Sequence, residues 1–190
     1  MIDVALQTVV DSLNDYFAQR MGLEHPDPTP YVILDNVAKY RQAAHNNAHI
    51  HHSDNVVLTV VNLEKSSLHH SSPHHLLNSG ANASNSNSYR IHLHCLFSIT
   101  VEPYNRALQF LGLITDYFHL HPVFEFEQRD GEKNKIAMEQ VVLNFEENQQ
   151  LWSMLGGNLL PSVMFRAALQ MHAVESKQLE AKTSGFPYLL

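Results

Sequence analysis

Cysteine and long apolar runs are scarce in this sequence. Cys95 is the only cysteine in 190 residues, and it cannot form a disulfide within the chain, which fits a reducing compartment. No apolar run approaches the roughly 20 residues of a membrane span, so no membrane partner is expected. The opening stretch MIDVALQTVVDSLNDYF carries Asp3 and Asp11 and lacks a basic start. It therefore predicts synthesis in the cytoplasm without a signal peptide.

Basic residues and glycines are also few. Twelve Lys and Arg stand against 19 Asp and Glu, for a formal net charge of −7, which argues against a nucleic-acid partner. The seven glycines form no phosphate-binding loop, and there is no G-x-S-x-G motif. These absences favour a structural or interaction protein over an enzyme, and we expect no catalytic residues and no cofactor.

Apolar periodicity predicts three helices. The first covers residues 2–21, the second begins with Pro103 in its first turn and runs to about His119, and the third is short. Asn144 and Glu147 form a capping-box pattern at the start of the third helix, which holds Trp152 and Leu155. The inner faces of the two longer helices are predicted to carry Ile2, Leu6, Val9, Leu13, Phe17, Ala107, Leu111, Ile114 and Phe118.

Alternation and β-branched runs predict five or six strands. YVIL (31–34), VFEFEQ, IAMEQVVLNF and SVMFRAALQMHAV are strand candidates, and YRIHLHCLFSITVE (89–102) alternates most regularly. The run NVVLTVVNLE (55–64) is nearly continuous, which predicts a strand buried on both faces. The expected fold is mixed α/β, with a single sheet of about five or six strands and helices packed on it.

Histidine is over-represented, with 14 residues, of which eight lie between positions 45 and 75. Residues 65–88 are rich in Ser, His and Asn and predict a long loop. His92 and His94 are two apart on one strand, so they share a face and could both bind zinc. A metal-binding or enzymatic α/β domain that uses His92 and His94 is the alternative function. Because the ligand spacing of known zinc motifs is missing, we expect no metal.

The remaining reactive groups have structural explanations. Glu125 and Glu127 fall on the solvent side of an amphipathic strand, and Glu146 and Glu147 fit the start of a helix. Cys95 lies on an apolar strand face, where a buried, inert thiol is expected. None of these groups has the setting that acid–base or nucleophilic catalysis requires.

Five segments together resemble one protein family. They are IDVALQTVVDSLNDYF, VVLTVVNLE, HLHCLFSI, YNRALQFLGLITDYFHLHPVF and, most specifically, LWSMLGGNLLPSVMFR. They are similar, in order, to the cap proteins, or tail terminators, of extracellular contractile injection systems of the virulence-cassette and antifeeding-prophage type. The resemblance covers most of residues 1–174. It departs after Glu64, where Lys65 and Ser66 stand in place of further acidic residues.

The resemblance implies a tail-terminator-like fold and a structural role. Such a protein would form a ring, a homo-hexamer, that contacts the inner tube protein and the sheath protein at the end distal to the baseplate. The particle could be released from the cell or stay cell-bound. The implied organisation is a cap domain at 1–174 and a C-terminal arm at 175–190.

Two residue sets are singled out within this framework. The structural signature comprises Trp152, Leu155, Gly156, Gly157 and Pro161, which would anchor a short helix and shape the following turn. The arm ends in an apolar segment whose interface candidates are Leu179, Phe186, Tyr188, Leu189 and Leu190. We expect these side chains to contact an adjacent subunit.

Overall fold

The computed structural model describes residues 1–21, 30–39, 55–65, 88–128, 131–156 and 159–172. This part of the chain contains three helices of ten or more residues and six strands. In chain order they are α1 (Ile2–Met21), β1 (Val32–Leu34), β2 (Val56–Lys65), β3 (Ser88–Ile99), α2 (Tyr104–Leu120), β4 (Val123–Glu127), β5 (Lys133–Val141), α3 (Phe145–Met154) and β6 (Ser162–His172). Residues 37–39 are also helical. The predicted loop at 65–88, apart from its two end residues, lies outside the described residues.

All six strands form one sheet, which confirms the predicted mixed α/β class. Their order is β1-β2-β3-β6-β5-β4, so the last of the described strands along the chain lies at the centre of the sheet beside β3. β1 is parallel to β2, and the other pairs are antiparallel. Asn14 of α1 supports the short strand β1, because its side chain donates to the Val32 carbonyl at 2.9 Å and accepts from the Val32 N–H at 2.8 Å.

α1 and α2 cover one face of the sheet and build the main core. The alternation predicted for β3 is confirmed, since its odd-numbered residues from Ile91 to Ile99 are buried on this face. Leu111 is only half-buried, whereas Phe110 and Tyr117 complete the inner face of α2. Pro103 is the N-cap of α2 rather than a residue of its first turn, because the helix begins at Tyr104.

Aromatic rings join the two helices to the sheet. The Phe17 ring of α1 lies 5.0 Å from the Phe110 ring of α2, between ring centroids. The Phe118 ring contacts the Phe165 ring of β6 at 4.4 Å, and the Phe97 ring of β3 lies 5.3 Å from Phe118. Pairs at these separations add about 0.5–1.5 kcal/mol each to the burial of apolar area.

The expectation that β2 is buried on both faces is correct for only half of the strand. Residues 56–59 are buried, but Val60 is 39% exposed and Leu63 is 53% exposed. β1 pairs with β2 only as far as Leu58, while β3 pairs with β2 as far as Lys65, so the second half of β2 lies at an edge of the described sheet. A register shift between Val60 and Asn62 marks the point where the strand leaves the core.

The hairpin between β4 and β5 has the predicted turn residue. Gly131 has a φ of 83°, and its N–H donates to the Gln128 carbonyl at 2.9 Å. The solvent-facing positions of β4 predicted for Glu125 and Glu127 are confirmed. Among the described residues, no helix combines the length and the apolar character needed to cross a membrane.

Alanine substitutions at two glycines should have opposite effects on the stability of the protein. Gly112 lies inside α2, and a Cβ added there would meet no atom within 4 Å. Gly112→Ala should therefore raise the free energy of unfolding by about 0.5–1 kcal/mol, since glycine is the poorer helix former. Gly131→Ala should lower it, because the φ of 83° disfavours a side chain. Urea denaturation of both variants measures the difference, and a loss of stability in Gly112→Ala would contradict the placement of this residue.

Candidate functional site

The second face of the sheet carries the short helix α3, whose start is fixed as the sequence predicts. The Asn144 side chain accepts from the Glu147 N–H at 2.9 Å, and the Glu147 carboxylate accepts from the Asn144 N–H at 2.9 Å. This reciprocal capping box satisfies two backbone N–H donors at the helix start. A ten-residue helix is marginal in isolation, so α3 also needs an anchor on the sheet.

Trp152 is that anchor. It is the only buried residue of α3, at 3% exposure, and it packs against Leu96 of β3 and Met164 of β6. These three residues form a second core, separate from the one under α1 and α2. Half-buried apolar residues surround it, namely Val61, Val141, Leu143, Leu151, Leu155 and Leu160.

The rest of the structural signature shapes the exit from α3. Leu155 is the C-cap residue rather than a member of the helix, and its N–H donates to the Leu151 carbonyl at 3.0 Å. Gly156 follows with a φ of 109°, which a residue with a side chain rarely adopts. Pro161 precedes β6, and its carbonyl accepts from the Ile99 N–H at 3.0 Å. Gly157 lies outside the described residues.

Charged side chains occupy the part of this face that α3 does not cover. Arg166 of β6 contacts Glu139 of β5, with 2.5 Å between Nη2 and Oε2. Lys135 Nζ lies 2.8 Å from Glu125 Oε1, and the hydrogen bond from Lys135 lowers the pKa of that exposed carboxyl. Cross-strand pairs of this kind, exposed to water, add little stability.

His92 and His94 share this face, as predicted, and both are half-buried. His94 Nε2 lies 3.4 Å from Glu64 Oε1 on β2. Within the described ranges, no group of three or more His, Cys, Asp or Glu side chains is close enough to hold a metal ion. The eight histidines between positions 45 and 75 lie outside those ranges.

Cys95 points into the main core, on the opposite face, and is fully buried. Burial raises the pKa of its thiol to about 12, so the reactive thiolate is essentially absent near neutral pH. The expectation of a buried, apolar-face cysteine is confirmed.

An open groove lies between the end of α3 and the β1–β2 side of the sheet. It has a volume of about 470 Å³. Its walls are Leu34, Asp35, Asn36, Leu58, Thr59, Val60, Val61, Leu151, Met154 and Leu155. We call it the edge groove. Sequence patterns did not reveal it, because its apolar residues come from three separate segments, at 34–36, 58–61 and 151–155, that only the fold brings together.

A match to a known protein family shows to which family the chain belongs. The family described as the Pvc16 N-terminal domain matches residues 5–183. The chain belongs to this family. The Pvc16 family is associated with contractile injection systems of the phage-tail-like virulence-cassette type, so the resemblance of the five sequence segments to this group is confirmed. No curated protein matches the chain.

The Pvc16 match includes the whole of α3, its capping box and the turn that follows it. It also extends beyond residue 174, the predicted end of the cap domain. The interface candidates Leu179, Phe186, Tyr188, Leu189 and Leu190 lie outside the described residues, and so does the rest of the predicted arm at 175–190. Their contact with an adjacent subunit stays a prediction.

The contribution of the buried Trp152 to stability can be compared with that of Phe145, which is exposed on the same helix. Trp152→Ala should lower the free energy of unfolding by about 3–5 kcal/mol, because it removes the centre of the second core. Phe145, on the same helix, is 86% exposed, and Phe145→Ala should change stability by less than about 0.5 kcal/mol. Thermal and denaturant melts of the two variants test this. A Trp152→Ala protein that melts like the wild type would show that α3 does not depend on this anchor.

Proposed function

We propose that this protein is a structural cap of a contractile injection system, forming a ring that ends the tube and sheath distal to the baseplate. The family match over residues 5–183 carries the proposal, because it ties the chain to this class of particle. The ring is a homo-hexamer in this proposal, and its other partners are the inner tube protein and the sheath protein.

The physical character of the domain supports a structural role. Helices are anchored on both faces of the sheet, over a main core and a second core. The only cysteine is buried with a raised pKa, so it is a poor nucleophile. The proposal therefore assigns the domain shaped, rigid surfaces rather than catalysis.

The surfaces that could meet other proteins differ in character. The open half of the second face carries ion pairs such as Arg166–Glu139 and Lys135–Glu125. The edge groove is mainly apolar, although Asp35, Asn36 and Thr59 are among its wall residues, and Val142, Phe145 and Met154 are exposed apolar residues near the ends of α3. A cap that contacts its own copies, the tube and the sheath needs several distinct surfaces, and this arrangement provides them.

Deletion of the gene tests the proposal directly. Particles from the deletion strain should have tubes and sheaths of abnormal or uncontrolled length, or should be unstable, because nothing stops polymerisation. Negative-stain electron microscopy measures the length distribution, and the same strain carrying the wild-type gene is the control. Contractile particles of normal length without this protein would refute the proposed function.

The arm is tested by truncation. In this proposal residues 175–190 contact an adjacent cap or sheath subunit, using the polar ESKQLEAKTSG as a spacer and FPYLL as an apolar anchor. Removal of residues 176–190 should leave the melting temperature nearly unchanged and should weaken attachment to the particle, measured as the fraction of cap protein that co-sediments with particles. A truncated protein that unfolds, or that caps particles as well as the full chain does, would show that the arm hypothesis is wrong.

A further inference from the structure

The outer edge of β2 is paired over only its first half. The Asp35 N–H donates to the Leu58 carbonyl at 3.1 Å. The Thr59 hydroxyl then donates to the Asp35 carbonyl at 2.7 Å and accepts from the Val37 N–H at 2.9 Å, which turns the chain after β1 away from β2. In the described part of the chain, no strand pairs with this side of β2 at residues 60–64, which we call the free edge.

The free edge fits an extended segment that ends in apolar residues. The main-chain groups of an edge strand can bind a further strand, and its side chains add contacts. Val60 and Leu63 are 39% and 53% exposed, and the Leu63 N–H is satisfied locally by the Asn62 side chain, at 2.9 Å, which an incoming carbonyl can replace. Val60 is also a wall residue of the edge groove, whose volume of about 470 Å³ can take apolar side chains that follow the strand.

The arm has the composition that this surface requires. Residues 175–185 are polar, and residues 186–190, FPYLL, are apolar. A strand added to the free edge becomes the outermost strand of the sheet, where a proline is tolerated. Pro187 lacks an N–H, so it also disfavours the addition of another strand.

The sheet register favours a neighbouring copy over the arm's own subunit. Lys65 of β2 is paired through Ile91 with β6, and β6 ends at His172, opposite Ser88, so all three strands have these ends on one side of the sheet. Residues 66–87 connect β2 to β3 at the same side. To reach the free edge of its own subunit, the arm would have to cross this connection, and connections at one edge of a sheet do not normally cross. The free edge of another copy is reached without this crossing.

We propose that the arm of one copy of this protein adds as an antiparallel strand to the free edge of the next copy and places FPYLL in its edge groove. This inference rests on the proposed ring and names the site that the arm binds. The 16 residues from 175 to 190 span up to about 55 Å when extended, more than the roughly 40 Å across a compact domain of this size. Because the arm and the free edge are different surfaces, the contact is head-to-tail and can repeat until a ring closes.

A chain with two added cysteines tests the contact. With Phe186 beside Val60, antiparallel pairing places Thr183 opposite Leu63. The full chain carrying Leu63→Cys and Thr183→Cys is oxidised, both as purified protein and in particles; Cys95 is buried and does not interfere. The expected product is a ladder of disulfide-linked chains on non-reducing gels. A monomer with an internal disulfide would show that the arm binds its own subunit, and no disulfide in either preparation would show that the edge has another occupant. Either result overturns the proposal.

Control variants test whether the contact is specific. Val123 of β4, at the opposite edge of the sheet, is 52% exposed, and Val123→Cys combined with Thr183→Cys should give less than about a tenth of the cross-linked product. Phe186→Asp in the original pair should reduce the yield about tenfold, because it brings a charge to a mainly apolar groove. Gln178→Asp, which lies before the paired residues, should leave the yield unchanged. Equal yields from all of these chains would show non-specific contact and would overturn the proposal.

The proposed contact and the proposed cap role fail in different experiments. Contractile particles of normal length in the deletion strain would refute the cap role, and with it the ring on which the contact rests. A missing ladder, together with particles of abnormal length in the deletion strain, would refute the contact alone.

Discussion

The antiparallel pairing of β3 with β6 is the constraint on which the rest of the structure depends. The two strands are aligned over their full lengths, from Ser88 opposite His172 to Ser98 opposite Ser162. One face of this pair presents Cys95, Phe97 and Phe165 to α1 and α2, and the other presents Leu96 and Met164 to Trp152. A shift of one residue would exchange the two faces, placing His94 and Arg166 in the main core. The register therefore fixes both cores at once.

α3 depends on this pairing more than any other helix. It is short, and its residues other than Trp152 are exposed or half-buried, so its position rests on one aromatic anchor and a capping box. Trp152 holds the helix over β3 and β6, the two central strands of the sheet. The exposed apolar residues at the two ends of the helix, Phe145 and Met154, do not belong to the second core.

Local patterns in the sequence were sufficient to predict the helices and strands but not the order of the strands in the sheet. The buried faces of α1 and β3 could be predicted, because their apolar residues repeat with the period of a helix or a strand. In α1 these residues are Leu6, Val9, Leu13 and Phe17, and all four are buried. The capping box at Asn144 is a local hydrogen-bond motif, and it could also be predicted from the sequence. The insertion of β6 between β3 and β5 is a non-local feature, and so is the end of the β1–β2 pairing at Leu58, after which β2 is a strand at the edge of the described sheet. The edge groove could not be predicted for the same reason, since it exists only once α3 and β1 meet β2.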